Sequence, residues 1–309
     1  MQIDTPIIIL VGPTAIGKTA LSFQLADRFD CEIISMDSMQ VYRYMDIGTA
    51  KPTKEERKQF PHHLVDIVDP DEQYNAARFV DDCLSVILQI SARGKIPLIT
   101  GGTGLYLSSL LNGLFNTVQV SNEVRAQIKQ KFCRPGAPDP YDELCRVDPK
   151  SAERIHKNDR QRVLRGLEIY YSSGVPWSEH LEKQKEAEPL IRFSRLFAVY
   201  LNCPRDVLYR RIAQRTDSMF AQGFVEEVEG LRNMGYGIDL PSMQSIGYRH
   251  VNQFLDGRWD REMMKSLLVR DTRRYAKRQM TWFRRIDRLR PYSRGDHEKI
   301  ISDICNYFR

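Results

Sequence analysis

Apolar and polar positions fall along this chain in distinct textures. Between Pro6 and about residue 115, short unbroken apolar runs alternate with stretches whose apolar residues recur every three or four positions. The runs "PIIILVG", "CEIISMD" and "IPLITGG" are strand-length and lack polar alternation, as strands covered on both faces do. "KTALSFQLADRF", "AARFVDDCLSVILQISARG" and "LYLSSLLNGL" have helical spacing, and Gly94 supplies a stop for the second. Strands alternating with helices imply βαβ units and a parallel sheet. Residues 121 to 190 are charged, with apolar positions at helical spacing only. There "SNEVRAQIKQKF" opens on a Ser121 N-cap, "DPKSAERI" follows, and "DRQRVLRGLEIYYSSG" runs from an Asp159 cap to Gly174. A buried strand returns at "RLFAVYLNCP", followed by helix-patterned sequence into a basic tail. The expected organisation is an α/β fold: a P-loop NTPase-like parallel sheet core (1–120 and 191–309) with an all-helical insertion domain (121–190) and a basic helical C-terminal region.

Composition narrows the class. The apolar share of 42% is enough for a buried core, and the mean hydropathy of −0.45 is that of an ordinary soluble chain. No stretch approaches the ~20 apolar residues of a membrane span, and no basic region precedes the short first run, so no membrane association or secretion is expected. Six cysteines are scattered without a C-x-x-C pair, which argues against a zinc site or disulfide scaffold and fits a cytoplasmic location. The net charge of +6 points weakly to a polyanionic partner. Its distribution says more. In "RDTRRYAKRQMTWFRRIDRLR", residues 270–290, only Asp271 and Asp287 oppose a crowd of Arg and Lys, among which sit Tyr275, Trp282 and Phe283. Such a run reads equally as an RNA-contacting surface or as a charged outer helix whose Trp282 docks on the core.

The segment after the first strand carries the clearest chemistry. Gly12-Pro13-Thr14-Ala15-Ile16-Gly17-Lys18-Thr19 fits G-x-x-x-x-G-K-[ST], with a strand before it and a helix after it. The glycines let backbone N–H groups converge on phosphate oxygens, and the helix N-terminus adds positive potential. Lys18 brings a mobile charge and Thr19 a hydroxyl for Mg²⁺. The loop specifies a diphosphate-bearing ligand rather than ATP as such, and a kinase or NTPase is the default expectation. Asp37 ends the second strand and Gly101-Gly102 the third, both at the sheet edge where parallel sheets bind ligands. A carboxylate there serves as a metal ligand, as a general base, or as the cap of a turn. The pair His62-His63 lacks a third ligand at useful spacing and is read as a loop feature.

Seven segments together go further: "GPTAIGKT", "DSMQVYRYMDIGTAKP", "HHLVDIVDP", "GGTGLYLSSLLNGL", "DPKSAERIHKNDRQRVLRGLEI", "QSIGYRH" and "TRRYAKRQMTWFRR". In this order, from Gly12 to about Arg285, the chain resembles the tRNA dimethylallyltransferase (tRNA isopentenyltransferase) family. The resemblance implies transfer of a dimethylallyl group from dimethylallyl diphosphate to N6 of the adenosine 3′ of the anticodon, with Mg²⁺ as cofactor. The partner would be the anticodon stem-loop of tRNA, and no obligate protein partner is implied, so a monomer is expected. Under it the P-loop holds a departing diphosphate. Asp37 becomes the general base, Thr14 a hydroxyl at the bridging oxygen, and Arg215 a diphosphate-contacting cation. Contacts to the extruded base and the RNA fall to Asp37, Ser38, Met39, Gln40, Thr103, Arg125, Gln161, Arg162, Val163, Leu164, Arg165, Gln244 and Arg249. Read without the resemblance, Arg215 is a solvated helix arginine with Arg210 and Arg211 as neighbours, and "DRQRVLR" is a solvated helix face. Ile16 stands where many relatives carry serine, a position that offers only its amide. No Cys/His cluster follows the basic run, unlike eukaryotic relatives, so a bacterial-type enzyme is expected.

Three rival readings remain at this level. A P-loop kinase would consume ATP, with the insertion as its lid. An enzyme prenylating free adenine nucleotides would share the P-loop and Asp37 but have less use for the insertion and the basic tail. A noncatalytic RNA-binding protein would leave Lys18, Thr19 and Asp37 unexplained.

Overall fold

A computed structural model describes residues 2–113, 118, 120–186 and 191–309. Eight strands are present: β1 (Gln2–Ile3), β2 (Ile7–Val11), β3 (Cys31–Met36), β4 (His62–His63), β5 (Ile96–Gly101), β6 (Arg192–Phe193), β7 (Leu196–Asn202) and β8 (Arg290–Ser293). Six form one sheet in the order β4-β3-β5-β2-β7-β8, with every pairing parallel. The remaining two, β1 and β6, pair separately. All residues of β2 and β3 are buried, which is why their sequences run apolar rather than alternating. The three strands and three helices expected before residue 115 all form; of the third helix, Gly104–Asn112 is seen, and Leu114 lies outside the described residues.

Three expectations change. His62 and His63 form the edge strand β4 rather than a loop, with His63 Nε2 2.7 Å from Glu32 Oε2 and His62 Nδ1 2.6 Å from the Phe60 carbonyl. The C-terminal region is not wholly helical: after the Arg261–Phe283 helix the chain adds β8 beside β7, then the His297–Phe308 helix. Four residues with one buried side chain, Tyr292, give too short a pattern to be read as a strand. The core also closes earlier than residue 120. The structure divides into one unit of Met1–Leu111 with Ile191–Arg309 and a second of Asn112–Leu190.

The larger unit packs its helices on both faces of the sheet, around Ile8, Leu10, Ile33, Leu98, Val199 and their neighbours. The long helix-patterned stretch after β7 breaks into Arg205–Ala221 and Phe224–Asn233 at Gly223, whose φ of +94° suits glycine. The smaller unit is helical throughout its described residues. Its core joins Ile128, Phe132, Leu144, Val147, Ala152, Val163 and Leu167. Ser121 and Asp159 cap their helices as expected, accepting from the N–H groups of Val124 and Arg162 at 3.3 Å each.

Candidate active site

The carboxyl ends of β2, β3 and β5 meet at one rim, and the chain leaves each by a turn that carries a reactive or recognition group. From β2 comes the phosphate loop. Gly12 stays glycine because a Cβ there would sit 2.8 Å from the Leu201 carbonyl. Ala15 and Gly17 adopt φ of +64° and +109° to bend the loop back. Ile16 turns its fully buried side chain into the core, so this position does contribute only backbone to the loop. The helix Lys18–Phe29 then starts without any side-chain cap. Its first N–H groups are therefore open to an anion, with the positive end of the helix dipole behind them.

Four cations surround the loop. Lys18 Nζ donates to the carbonyls of Gly12 and Pro13 at 3.0 Å each. Burial lowers its pKa to about 8, opposed by the charge of Asp37 and aided by that of Arg215. Arg215 donates to Thr14 Oγ1 at 3.2 Å and to the Thr49 carbonyl at 3.4 Å. Arg211 Nε donates to the Ala15 carbonyl at 2.7 Å. Arg294, delivered by the turn after β8, is the fourth, beside Gly17. None of the four has a carboxylate within ion-pair distance among the described residues. Concentrated, unneutralised positive charge around open amides is a site for a polyanion.

At the end of β3 the Asp37 carboxylate caps its own turn: Oδ1 accepts from the N–H groups of Met39 at 2.9 Å and Gln40 at 3.4 Å. The turn-cap reading of this residue is thus met by Oδ1, while Oδ2 has no protein partner among the described residues and Asp37 lines the cleft. The Ser38 N–H donates to Thr103 Oγ1 at 3.1 Å, which ties the β3 turn to the β5 turn. Gln40 is engaged within the protein: it receives the Ser35 hydroxyl at 2.9 Å and donates to the carbonyls of Thr49 and Ala50 at 3.4 Å. The cleft these groups enclose measures about 460 Å³, and Ile47, Ala50, Pro52 and Met219 give it an apolar side.

Several residues that sequence reasoning did not assign hold this arrangement. Gln279, buried in the cleft wall, accepts the Thr14 N–H at 2.9 Å and donates to the Gly102 carbonyl at 2.8 Å. One amide thus joins the phosphate loop to the second glycine turn. A Cβ on Gly102 would lie 2.3 Å from Gln279 Nε2, which accounts for that glycine. Tyr275 lies one turn before and Trp282 one turn after. Burial and the charge of Asp37 raise the Tyr275 pKa, while its hydrogen bonds to Gln279 and Thr103 oppose the shift. Trp282 packs over Gly104, where a Cβ would be 2.6 Å from its Cδ1. The spacing 275, 279, 282 puts these three on one face of the Arg261–Phe283 helix. Uncharged residues at that interval within a basic run were the available signal. The other unassigned residue is Glu227. Its carboxylate accepts from the N–H groups of Asp46, Ile47 and Gly48 at 2.9, 2.6 and 3.1 Å and from Tyr248 Oη at 2.6 Å. It fixes the loop that brings Ile47 and Thr49 to the cleft.

Two other expected RNA contacts, Gln244 and Arg249, belong to the larger unit and do not line this cleft. Gln244 donates to the Ile238 carbonyl at 2.7 Å, and Arg249 pairs with Asp271 at 2.6 Å. In the smaller unit Arg125 is exposed, as are Gln161 and Arg162. Arg162 pairs with Asp159, and Arg165 with Glu168 at 3.2 Å. Val163 corrects its expectation: its side chain is wholly buried in that unit's core, and Leu164 packs against the same core. A strictly helical pattern inside a charged segment had to bury some face, and this one is it.

Known proteins resemble this chain over most of its length. A family model described as IPP transferase matches residues 40–286. The tRNA dimethylallyltransferase of Desulfotalea psychrophila is 50% identical over 303 residues, 98% of this chain and 96% of the relative. That of Thermotoga neapolitana is 45% identical over 280 residues, 90% and 89% of the two chains. Among solved structures, the full-length tRNA isopentenylpyrophosphate transferase of Bacillus halodurans aligns with a TM-score of 0.70 at 39% identity, over 98% of this chain and 95% of that one. A eukaryotic dimethylallyltransferase acting on tRNA aligns with a TM-score of 0.78 at 29% identity, over 96% and 75%. With half its residues shared with one relative and the P-loop architecture shared with solved members, this chain belongs to the IPP transferase family, the tRNA dimethylallyltransferases.

Proposed function

We propose that this protein moves a dimethylallyl group from dimethylallyl diphosphate to N6 of the adenosine 3′ of the anticodon in tRNA, releasing diphosphate. The single observation that carries the mechanism is the juxtaposition of a phosphate cradle with Asp37 across one cleft. In the reaction the allylic C–O bond breaks and the C–N bond forms. The electron pair of the broken bond leaves with diphosphate, and the N6 proton passes to a base. Open amides at the start of the Lys18–Phe29 helix, Lys18 and Arg215 face the charge that develops on the leaving group, so they act as electrostatic catalysts. Thr14 receives a hydrogen bond from Arg215, which leaves its own hydroxyl proton to donate to the bridging oxygen. Asp37 keeps Oδ2 for the N6 proton, while Oδ1 is held by its turn. The amine acidifies as the C–N bond forms, so the proton passes to the carboxylate late in the step. The apolar side of the cleft, with Ile47 and Met219, suits the five-carbon chain.

The Thr19 hydroxyl at the loop is a hard oxygen donor that fits Mg²⁺, which takes few protein ligands and binds substrate phosphates. Mg²⁺ would add positive charge at the diphosphate. A monomer working in the cytoplasm on the anticodon stem-loop completes the reading. Among the described residues no helix is long and apolar enough to cross a membrane.

Labelled dimethylallyl diphosphate, Mg²⁺ and either unmodified tRNA or AMP separate the readings. Label should enter tRNA and not AMP. Asp37→Ala should lose transfer by at least two orders of magnitude, on the order of a missing general base, with tRNA binding retained. Near-normal turnover in that variant would reject the base assignment.

A further inference from the structure

The flank of the phosphate loop carries two cations that the mechanism above does not use. A Cβ built on Gly17 would lie 3.5 Å from Arg294 Nε and 3.9 Å from Arg211 Nη2, so both guanidinium groups crowd the same residue. They reach it from separate parts of the chain. Arg211 comes from the Arg205–Ala221 helix and is oriented by its bond to the Ala15 carbonyl. Arg294 follows β8, and its backbone N–H is fixed to the Asn202 carbonyl at 3.0 Å. Two like charges side by side repel, and neither has a carboxylate partner among the described residues. Burial and the charge of Arg294 both lower the pKa of Arg211, as expected of cations awaiting a counter-ion.

We propose that Arg211 and Arg294 form a clamp for the terminal phosphate of the prenyl diphosphate, and for the same phosphate in the released diphosphate. The proposal rests on the donor assigned above and deepens it. The loop has two sides. Arg215 and Thr14 mark one, where the bridging oxygen is cleaved. Gly17 with Arg211 and Arg294 marks the other. A diphosphate laid along the loop with its reactive end at Thr14 directs its far phosphate to the Gly17 side. Planar guanidinium forks match phosphate oxygens in pairs, which a single lysine does not. Because the leaving diphosphate is more negative than the esterified one, the clamp holds product more firmly than donor and gives the enzyme a built-in sensitivity to product.

Calorimetric titration of the full-length protein with inorganic diphosphate and with inorganic monophosphate tests this. Arg294 is exposed, so Arg294→Ala should fold normally, which its thermal midpoint verifies. Loss of one charge-assisted contact should weaken diphosphate roughly tenfold and shrink the preference for diphosphate over monophosphate. Donor KM should rise more than kcat falls, diphosphate should inhibit less, and tRNA affinity by filter binding should be unchanged. Arg294→Lys should recover part of the loss, since it restores the charge but not the fork. Unaltered diphosphate binding in Arg294→Ala overturns the clamp. So does a loss confined to tRNA affinity, which would give this arginine to an RNA phosphate. The two layers stay separable. A wild-type protein that binds diphosphate through Arg294 without transferring a prenyl group keeps the clamp and removes the donor.

Discussion

Lys18 shows how a single side chain couples the site to pH. Its pKa falls to about 8 because burial disfavours the charged form. A bound diphosphate stabilises that charge and raises the pKa again. Diphosphate affinity should therefore be full below pH 8 and decline as pH rises through about 8. Binding near that pH should take up a proton, measurable by titration in buffers of different ionisation heat and absent in Lys18→Ala. Gln279 makes a different kind of prediction, since it acts through the loop and not on the substrate. Gln279→Leu strands the Thr14 N–H and the Gly102 carbonyl in a buried position and lets the Thr14 hydroxyl shift. Transfer should slow by roughly a hundredfold, the scale of a small misplacement near the chemistry, with tRNA binding intact. Gln279→Glu keeps the acceptor for Thr14 but sets a negative charge beside the diphosphate, so its donor KM should rise above that of Gln279→Leu.

At the scale of elements, the loop 46–48 is held by a carboxylate from a distant helix as well as by its neighbours Thr49, Ala50 and Lys51. Gly48 sits where a Cβ would be 2.3 Å from Phe224 and 2.6 Å from Tyr248, the ring whose hydroxyl also binds Glu227. Gly48→Ala should push the loop off Glu227 and cost about 2–3 kcal/mol, as overpacking of a tight contact does. Calorimetry should show a drop in the unfolding midpoint, together with a higher donor KM as Ile47 and Thr49 move. Such contacts also mark what a sequence reveals and what it hides. The strands β2, β3, β5 and β7 and the helices beside them were legible because hydrophobic period is a local signal. So were the phosphate loop and Asp37, each of which has a local pattern at a strand end. Glu227, Arg294 and the Gln279 bridge were not, because the loops they serve lie at least 177 residues away and only the folded chain brings them together. The two-residue β4 and the four-residue β8 are too short for periodicity and are defined by pairing alone. Val163 differs for the opposite reason: a motif read as a unit hides which of its members faces inward.

At the scale of the whole molecule, charge carries the argument. A net charge of +6 is modest, yet Arg274, Lys277, Arg278, Arg284 and Arg285 are all exposed along or just beyond one helix whose inner face braces the cleft. If these groups and the exposed Arg125 and Arg162 meet RNA phosphates, log affinity for tRNA should fall linearly with log salt, with a slope that drops by about one for each such cation removed. Donor affinity, set inside the cleft, should respond far less. A truncated chain lacking residues 290–309 should lose the β8 pairing, expose β7 and forfeit Arg294, and so bind diphosphate poorly even where it stays folded.

The helical unit is a single uninterrupted length of chain, Asn112–Leu190, with a hydrophobic centre of its own. All six strands of the large sheet belong to the other unit. That makes the helical unit a cassette: in evolution or in the laboratory it can be lengthened, trimmed or swapped without rewriting the order of the sheet or the turns at its rim. The helical unit and the sheet can therefore diverge on separate schedules within one gene.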